Sequence, residues 1–184
     1  MVNMGDKNNK GSNMLALVFG LCMAVIFTGM WYVGLKKRRE SAIEALKLIR
    51  QKIHLRLDLL RQDVDEKRLS WSAKHQFTFK KLLQREDQSA WNNMTQQQLD
   101  STTLSQWQKL DTDLTDFVTQ LDDQLLSADT RQAQSQLAQD IEQVQGFYNH
   151  TVNELNSGVN IIPCAVVSKV TNIEPLPTFK LQTA

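Results

Sequence analysis

Between Met14 and Leu35 the chain reads MLALVFGLCMAVIFTGMWYVGL, 22 residues without a charge. At 1.5 Å rise per residue such a helix spans about 33 Å, enough to cross the roughly 30 Å hydrocarbon core of a bilayer. Trp31 and Tyr32 stand near its end, where amphipathic rings favour the headgroup zone, and Lys36, Lys37, Arg38 and Arg39 follow at once. A cleavable secretion signal has another layout, with a shorter apolar core, cations before it and small residues at a cleavage site after it. The pattern predicts a retained single-pass anchor in contact with the lipid bilayer. Cys22 reads as a small apolar residue of that span, because Leu21 stands before it where a lipidation site needs a small residue. Lys7 and Lys10 with Asp6 precede the span against four consecutive cations after it. Since Lys and Arg stay preferentially on the cytoplasmic side, the bulk of the protein is expected in the cytoplasm.

Beyond the anchor no Pro occurs until Pro163, and the chain of 184 residues holds only 7 Gly and 3 Pro, too few turn formers for an all-β domain. Apolar residues recur instead at spacings of three and four. Ile43, Leu46, Ile49, Ile53, Leu57, Leu60 and Val64 form a stripe on a helix expected from Glu40 to about Trp71. Phe77, Phe79, Leu82 and Leu83 mark a shorter second helix, and periodicity fades in the polar stretch from Gln84 to Thr103. A third stripe runs Trp107, Leu110, Leu114, Phe117, Leu121, Leu125; a fourth runs from Leu137 through Ile141, Val144, Tyr148, Val152, Leu155 and Val159 to Ile162, where Pro163 stops it. Four such faces must cover one another. The expected fold class is all-α, a transmembrane helix followed by an antiparallel four-helix bundle of long helices. The corresponding organisation is a polar tail at 1–13, the membrane helix at 14–35, the bundle at 36–163 and an extended tail at 164–184.

The net charge of +1 excludes the basic footprint of a dedicated nucleic-acid binder, yet it conceals a division along the chain. Nine cations face three anions between Lys36 and Arg61, whereas eleven anions face two cations between Glu86 and Glu142. A basic collar on anionic lipid and an acidic face for a cationic partner is one reading. Neutralisation between helices packed side by side, or a solvated acidic face, is the other and takes precedence.

Residues of catalytic chemistry are sparse. His54, His75 and His150 are scattered, and Cys22 and Cys164 lie far apart without paired spacing. A calcium loop requires a turn-forming Gly at its sixth position and a bidentate acid at its twelfth, whereas the frame opening at DTDLTD holds Leu114, Asp116 and Asp122 on a helical pattern, so Asp111, Asp113 and Asp116 read as a solvated helix face. No phosphate loop or nucleophile elbow is present in the sequence, and neither enzyme activity, a cofactor nor a metal is assigned.

The most distinctive segment is FYNHTVNELNSGVNIIPCAVV, residues 147 to 167. Asn149 and Asn156 are poor interior helix residues placed seven apart on one face. They either hydrogen-bond across the bundle, fix its register, or lie exposed in a polar stripe. With Tyr148, Val152, Ile162 and Pro163, this segment resembles the LemA family, whose last long helix carries a YNxxVxxxN motif followed by an apolar residue and Pro. Ala165, Val166 and Val167 resemble the small apolar run after that Pro, and the final PLPTFKL also matches. LRLDLLRQDV, residues 55 to 64, is similar to a second family segment, with Arg61 and Gln62 where the family has Pro and Asn. Ala138 and Gln145 stand where the family has Glu and Arg. The resemblance implies a divergent member, a bacterial inner-membrane protein with no established enzymatic activity. On this basis Tyr148, Asn149, Val152, Asn156 and Pro163 are candidate interaction or register residues, and Lys36, Lys37, Arg38 and Arg39 the membrane-flanking cations. The expected function is a membrane-anchored scaffold for a protein partner, with a second copy of the chain a candidate. The alternative is a membrane-tethered sensor holding a small ligand between helices, and a hydrolase is a third class without residues to support it.

Overall fold

The structure, a computed structural model, describes residues 6–66, 71–88, 99–121, 125–161 and 164–180. Among these residues every regular element is helical: α1 (Asp6–Glu66), α2 (Ala73–Gln88), α3 (Ser101–Gln120), α4 (Ala128–Asn160) and α5 (Cys164–Thr171).

α1 is 61 residues long and passes without interruption from the apolar run through Lys36–Arg39 into the first amphipathic stripe. The apolar run and the first amphipathic stripe, expected on separate elements, lie on one helix of about 90 Å. Nothing between Leu35 and Glu66 would break a helix, since the segment lacks both Pro and Gly. Residues 6–13, expected as a tail, begin the same helix. It is long and apolar enough near the N-terminus to cross a membrane, and its apolar window is wholly exposed. Leu15, for example, is 75% exposed.

From Leu35 onward the character of α1 reverses. Leu46, Ile49, Ile53, Leu57 and Leu60 are buried, as their spacing predicts, together with Ala42 and Ala45. This face packs chiefly against α4, and α5 touches both. Ion pairs fix the direction: Arg38 meets Glu154 at 3.5 Å and Lys52 meets Asp140 at 2.6 Å, so α4 runs antiparallel to α1. Gly158 permits the close approach at the end nearest the apolar run, where a Cβ would lie 3.0 Å from Leu35 Cδ2.

α3 is capped by Asp100, which accepts from Thr103 N at 2.8 Å, and α4 by Ser127, which accepts from Thr130 N at 3.1 Å. Leu104, Trp107, Leu110, Leu114 and Phe117 face inward from α3, and Ile141, Tyr148, Val152, Leu155 and Val159 from α4. At the far end Trp71 closes on Phe79 and Phe117, with ring centroids 5.9 and 5.7 Å away. Phe77, expected in the second stripe, is 70% exposed, because on a helix it points away from the Phe79 and Leu82 face.

Two endings depart from expectation. α4 stops at Asn160, with Ile161 already extended; Ile162 and Pro163, expected to end it, lie outside the described residues. The tail expected to be extended from Cys164 begins instead as α5. Asn172, with φ of 52°, then turns the chain in the left-handed conformation that Asn tolerates, and Ile173 N donates to Ser168 O at 2.9 Å across the turn. Beyond it Ile173, Leu176 and Phe179 are buried at intervals of three along a tail that pairs with no strand among the described residues.

Candidate functional site

The polar motif of α4 meets this tail. Seven helical residues advance about 10.5 Å, and three extended residues about 10 Å. Asn149 and Asn156 therefore match the separation of Phe179 and Leu176 in an antiparallel alignment. Each carboxamide uses both its groups on one tail residue. Asn156 Oδ1 accepts from Leu176 N at 2.9 Å while its Nδ2 donates to Leu176 O at 2.8 Å. Asn149 Oδ1 accepts from Phe179 N at 2.8 Å while its Nδ2 donates to Phe179 O at 3.1 Å. Between them Tyr148 Oη donates to Pro177 O at 2.7 Å. Pro177 and Pro175 have no N–H to satisfy, and Thr178 is exposed, so the clamp serves the backbone groups of the buried Leu176 and Phe179.

The Tyr148 ring is fully buried and meets Phe179 edge to face with centroids 5.2 Å apart. Burial pushes its phenol well above the usual tyrosine range, so the hydroxyl remains a donor at all ordinary pH. Val152 lies in the core and packs; it offers nothing to a partner. Pro163 lies outside the described residues. Of the three open readings for the asparagines, none matches in full: they hydrogen-bond, but to the chain's own tail. IEPLPTF, residues 173 to 179, held the available signal, because Ile173, Leu176 and Phe179 recur every third residue.

A second polar centre escaped the sequence reading. Arg56 projects from the apolar stripe of α1 and is 1% exposed. Its guanidinium donates to Asp111 Oδ1 at 2.5 Å, to Thr115 Oγ1 at 3.2 Å and to Gln134 Oε1 at 3.1 Å, joining α1 to α3 and α4. Gln134 Nε2 returns a bond to Arg56 O at 2.7 Å. Burial lowers the Arg56 pKa and raises that of Asp111, and their mutual attraction opposes both shifts. Asp111 is thus no solvated acid, and Asp113 pairs with Arg85; Asp116 is exposed as expected. Such pairs join the basic and acidic stretches within the molecule.

At the other end an open groove of about 560 Å³ runs along α1 and α4, lined among others by Trp31, Lys37, Arg38, Phe147, His150 and Cys164. Of the membrane-flanking cations, Lys36 lies 3.8 Å from Glu40, Arg38 pairs with Glu154, Lys37 is exposed and Arg39 is half-buried. Among the described residues no group of three or more His, Cys, Asp or Glu could hold a metal. Comparison with family models, curated proteins and solved structures gave no match.

Proposed function

We propose that the protein is a non-enzymatic, membrane-anchored helical scaffold of the LemA kind in a bacterial inner membrane, with α1 to α4 forming an antiparallel four-helix bundle that presents its surface to a protein partner. The observation carrying this reading is that Leu35 is at once the end of the uncharged run and a core residue, 2% exposed. A rigid helix that joins span and bundle without a linker holds the bundle at a set height and orientation above the bilayer. The motif amides are engaged by the chain's own tail, so recognition falls to the exposed faces. There Asp116, Asp129 and Glu142 offer negative charge to a cationic partner. The four cations after the span support a cytoplasmic orientation of the soluble part in this reading.

The test combines capture and topology. Full-length protein captured from solubilised membranes should bring one protein partner, and Asp116→Lys with Glu142→Lys should release it without changing the melting transition. Protease added to intact membranes should cut the bundle only from the cytoplasmic side; cutting from outside alone would overturn the orientation. Capture that is indifferent to these charges would overturn the acidic surface as the recognition element.

The groove lined by Trp31, Lys37, Phe147 and Glu154 favours a second reading, a sensor holding a small ligand between helices. Such a ligand raises the melting temperature of the full-length protein in detergent, whereas the scaffold reading predicts no small-molecule shift.

A further inference from the structure

The clamp also gives the attitude of α5. Leu176 is held at Asn156 and Phe179 at Asn149, so the tail climbs α4 away from the apolar run of α1. Continuing that step back by three residues puts Ile173 just below the last turn of α4. The start of α5 lies at the same level, because Ala165 N donates to Ile161 O at 2.9 Å. A helix of eight residues, about 12 Å long, whose two ends share one height must lie across the bundle axis. Its first residue, Cys164, lines the groove with Met30, Trp31 and Leu35, the last residues of the apolar run. That level is where a tryptophan near the end of a span meets the headgroups.

The outward face of this transverse helix is apolar. Val167 and Ser168 are buried, whereas Val166 is 60% and Val170 79% exposed. Four residues apart, the two valines share a face, with Ile161 exposed just before α5 and Lys169 exposed beside them. In water this surface is uncovered apolar area at the base of the bundle. At the boundary of an anionic bilayer the valines are buried and the lysine meets lipid phosphate, the pattern of an interfacial helix.

We propose that α5 is an interfacial membrane helix that lies flat on the leaflet from which α1 emerges, inserting Val166 and Val170 and setting the bundle upright on the lipid surface. This rests on the reading that Met14–Leu35 spans a bilayer. The test uses full-length protein, with Cys22→Ala and Cys164→Ala, in vesicles of phosphatidylcholine and phosphatidylglycerol. An environment-sensitive fluorophore is attached at Val170→Cys, at Val25→Cys within the span, or at Thr119→Cys on α3. Lipids spin-labelled near the headgroup should quench most emission at position 170, lipids spin-labelled deep in the chain should quench position 25, and neither should quench position 119. Quenching at 25 but not at 170 overturns the proposal and leaves the span intact; quenching at neither overturns both. A second measurement needs no label. Trypsin should cut after Lys169 several-fold faster in vesicles holding the Val166→Asp, Val170→Asp variant than in those holding the native chain, and equal rates would overturn the proposal.

Discussion

A side-chain carboxamide carries the same donor and acceptor pair as a peptide group, which lets Asn149 and Asn156 stand in for a neighbouring strand. Removing one leaves a covered N–H and C=O of the tail without partners, a loss of about 1–3 kcal/mol for such groups. Asn149→Leu should therefore speed amide exchange at Phe179 strongly and at Leu176, still held by Asn156, much less. Unchanged exchange at Phe179 would show that the clamp does not hold the tail. Arg56 makes the opposite point, that a buried charge is needed chiefly because its partners are there. Arg56→Met alone strands Asp111 and Gln134 and should cost about 3–5 kcal/mol in urea unfolding. Replacing Arg56, Asp111 and Gln134 together by Met, Leu and Leu should recover most of that loss. Asp140 supplies a pH signature. Bonds from the Lys52 ammonium and the Gln136 amide hold its carboxyl below the ordinary aspartate range. A lowered native pKa gives stability that is complete above the unfolded value of about 3.9 and disappears as pH falls through the native value. The difference in melting temperature between the native chain and Asp140→Asn should accordingly be full at neutral pH and vanish at strongly acid pH.

Among the elements, α1 and α4 depend on a close approach beside the apolar run. Gly158→Leu should force them apart against Leu35 and cost about 1–3 kcal/mol by overpacking. Gly158→Ala should stay near neutral, since the helix preference for Ala offsets a slight shift of the Leu35 methyl. A melting temperature unchanged by the leucine would mean that the two helices are not in contact there. Helices were legible where apolar spacing is regular: the buried residues of α1, α3 and α4 are largely those of the stripes. Arg56 was not legible, because nothing in one sequence says that a cation between Ile53 and Leu57 has an aspartate and a glutamine facing it from 55 and 78 positions away. α5 was missed for a different reason. Eight residues give a helical period too little length to show, and the preceding Pro and the PLP that follows suggested extended chain throughout.

For the molecule as a whole, the near balance of charge becomes internal wiring. Arg38 with Glu154, Lys52 with Asp140 and Arg56 with Asp111 fasten the basic half of α1 to the acidic helices. The intramolecular reading of the charge pattern thus accounts for these residues. The candidate site was half legible: Tyr148, Asn149 and Asn156 stood out as residues, but their partner is a backbone, which has no side-chain signature. The proposed scaffold depends on α1, which must be one stiff helix across the bilayer boundary if the helices after Leu35 are to be held in place by a membrane span. Spin labels at Met30→Cys and Leu48→Cys, in the Cys22→Ala, Cys164→Ala chain reconstituted in lipid, bracket Lys36–Arg39 by five helical turns. The distance between their backbone positions should be narrowly distributed about 27 Å, whereas a broad or markedly shorter distribution would place a hinge at the membrane exit and contradict a rigidly mounted scaffold.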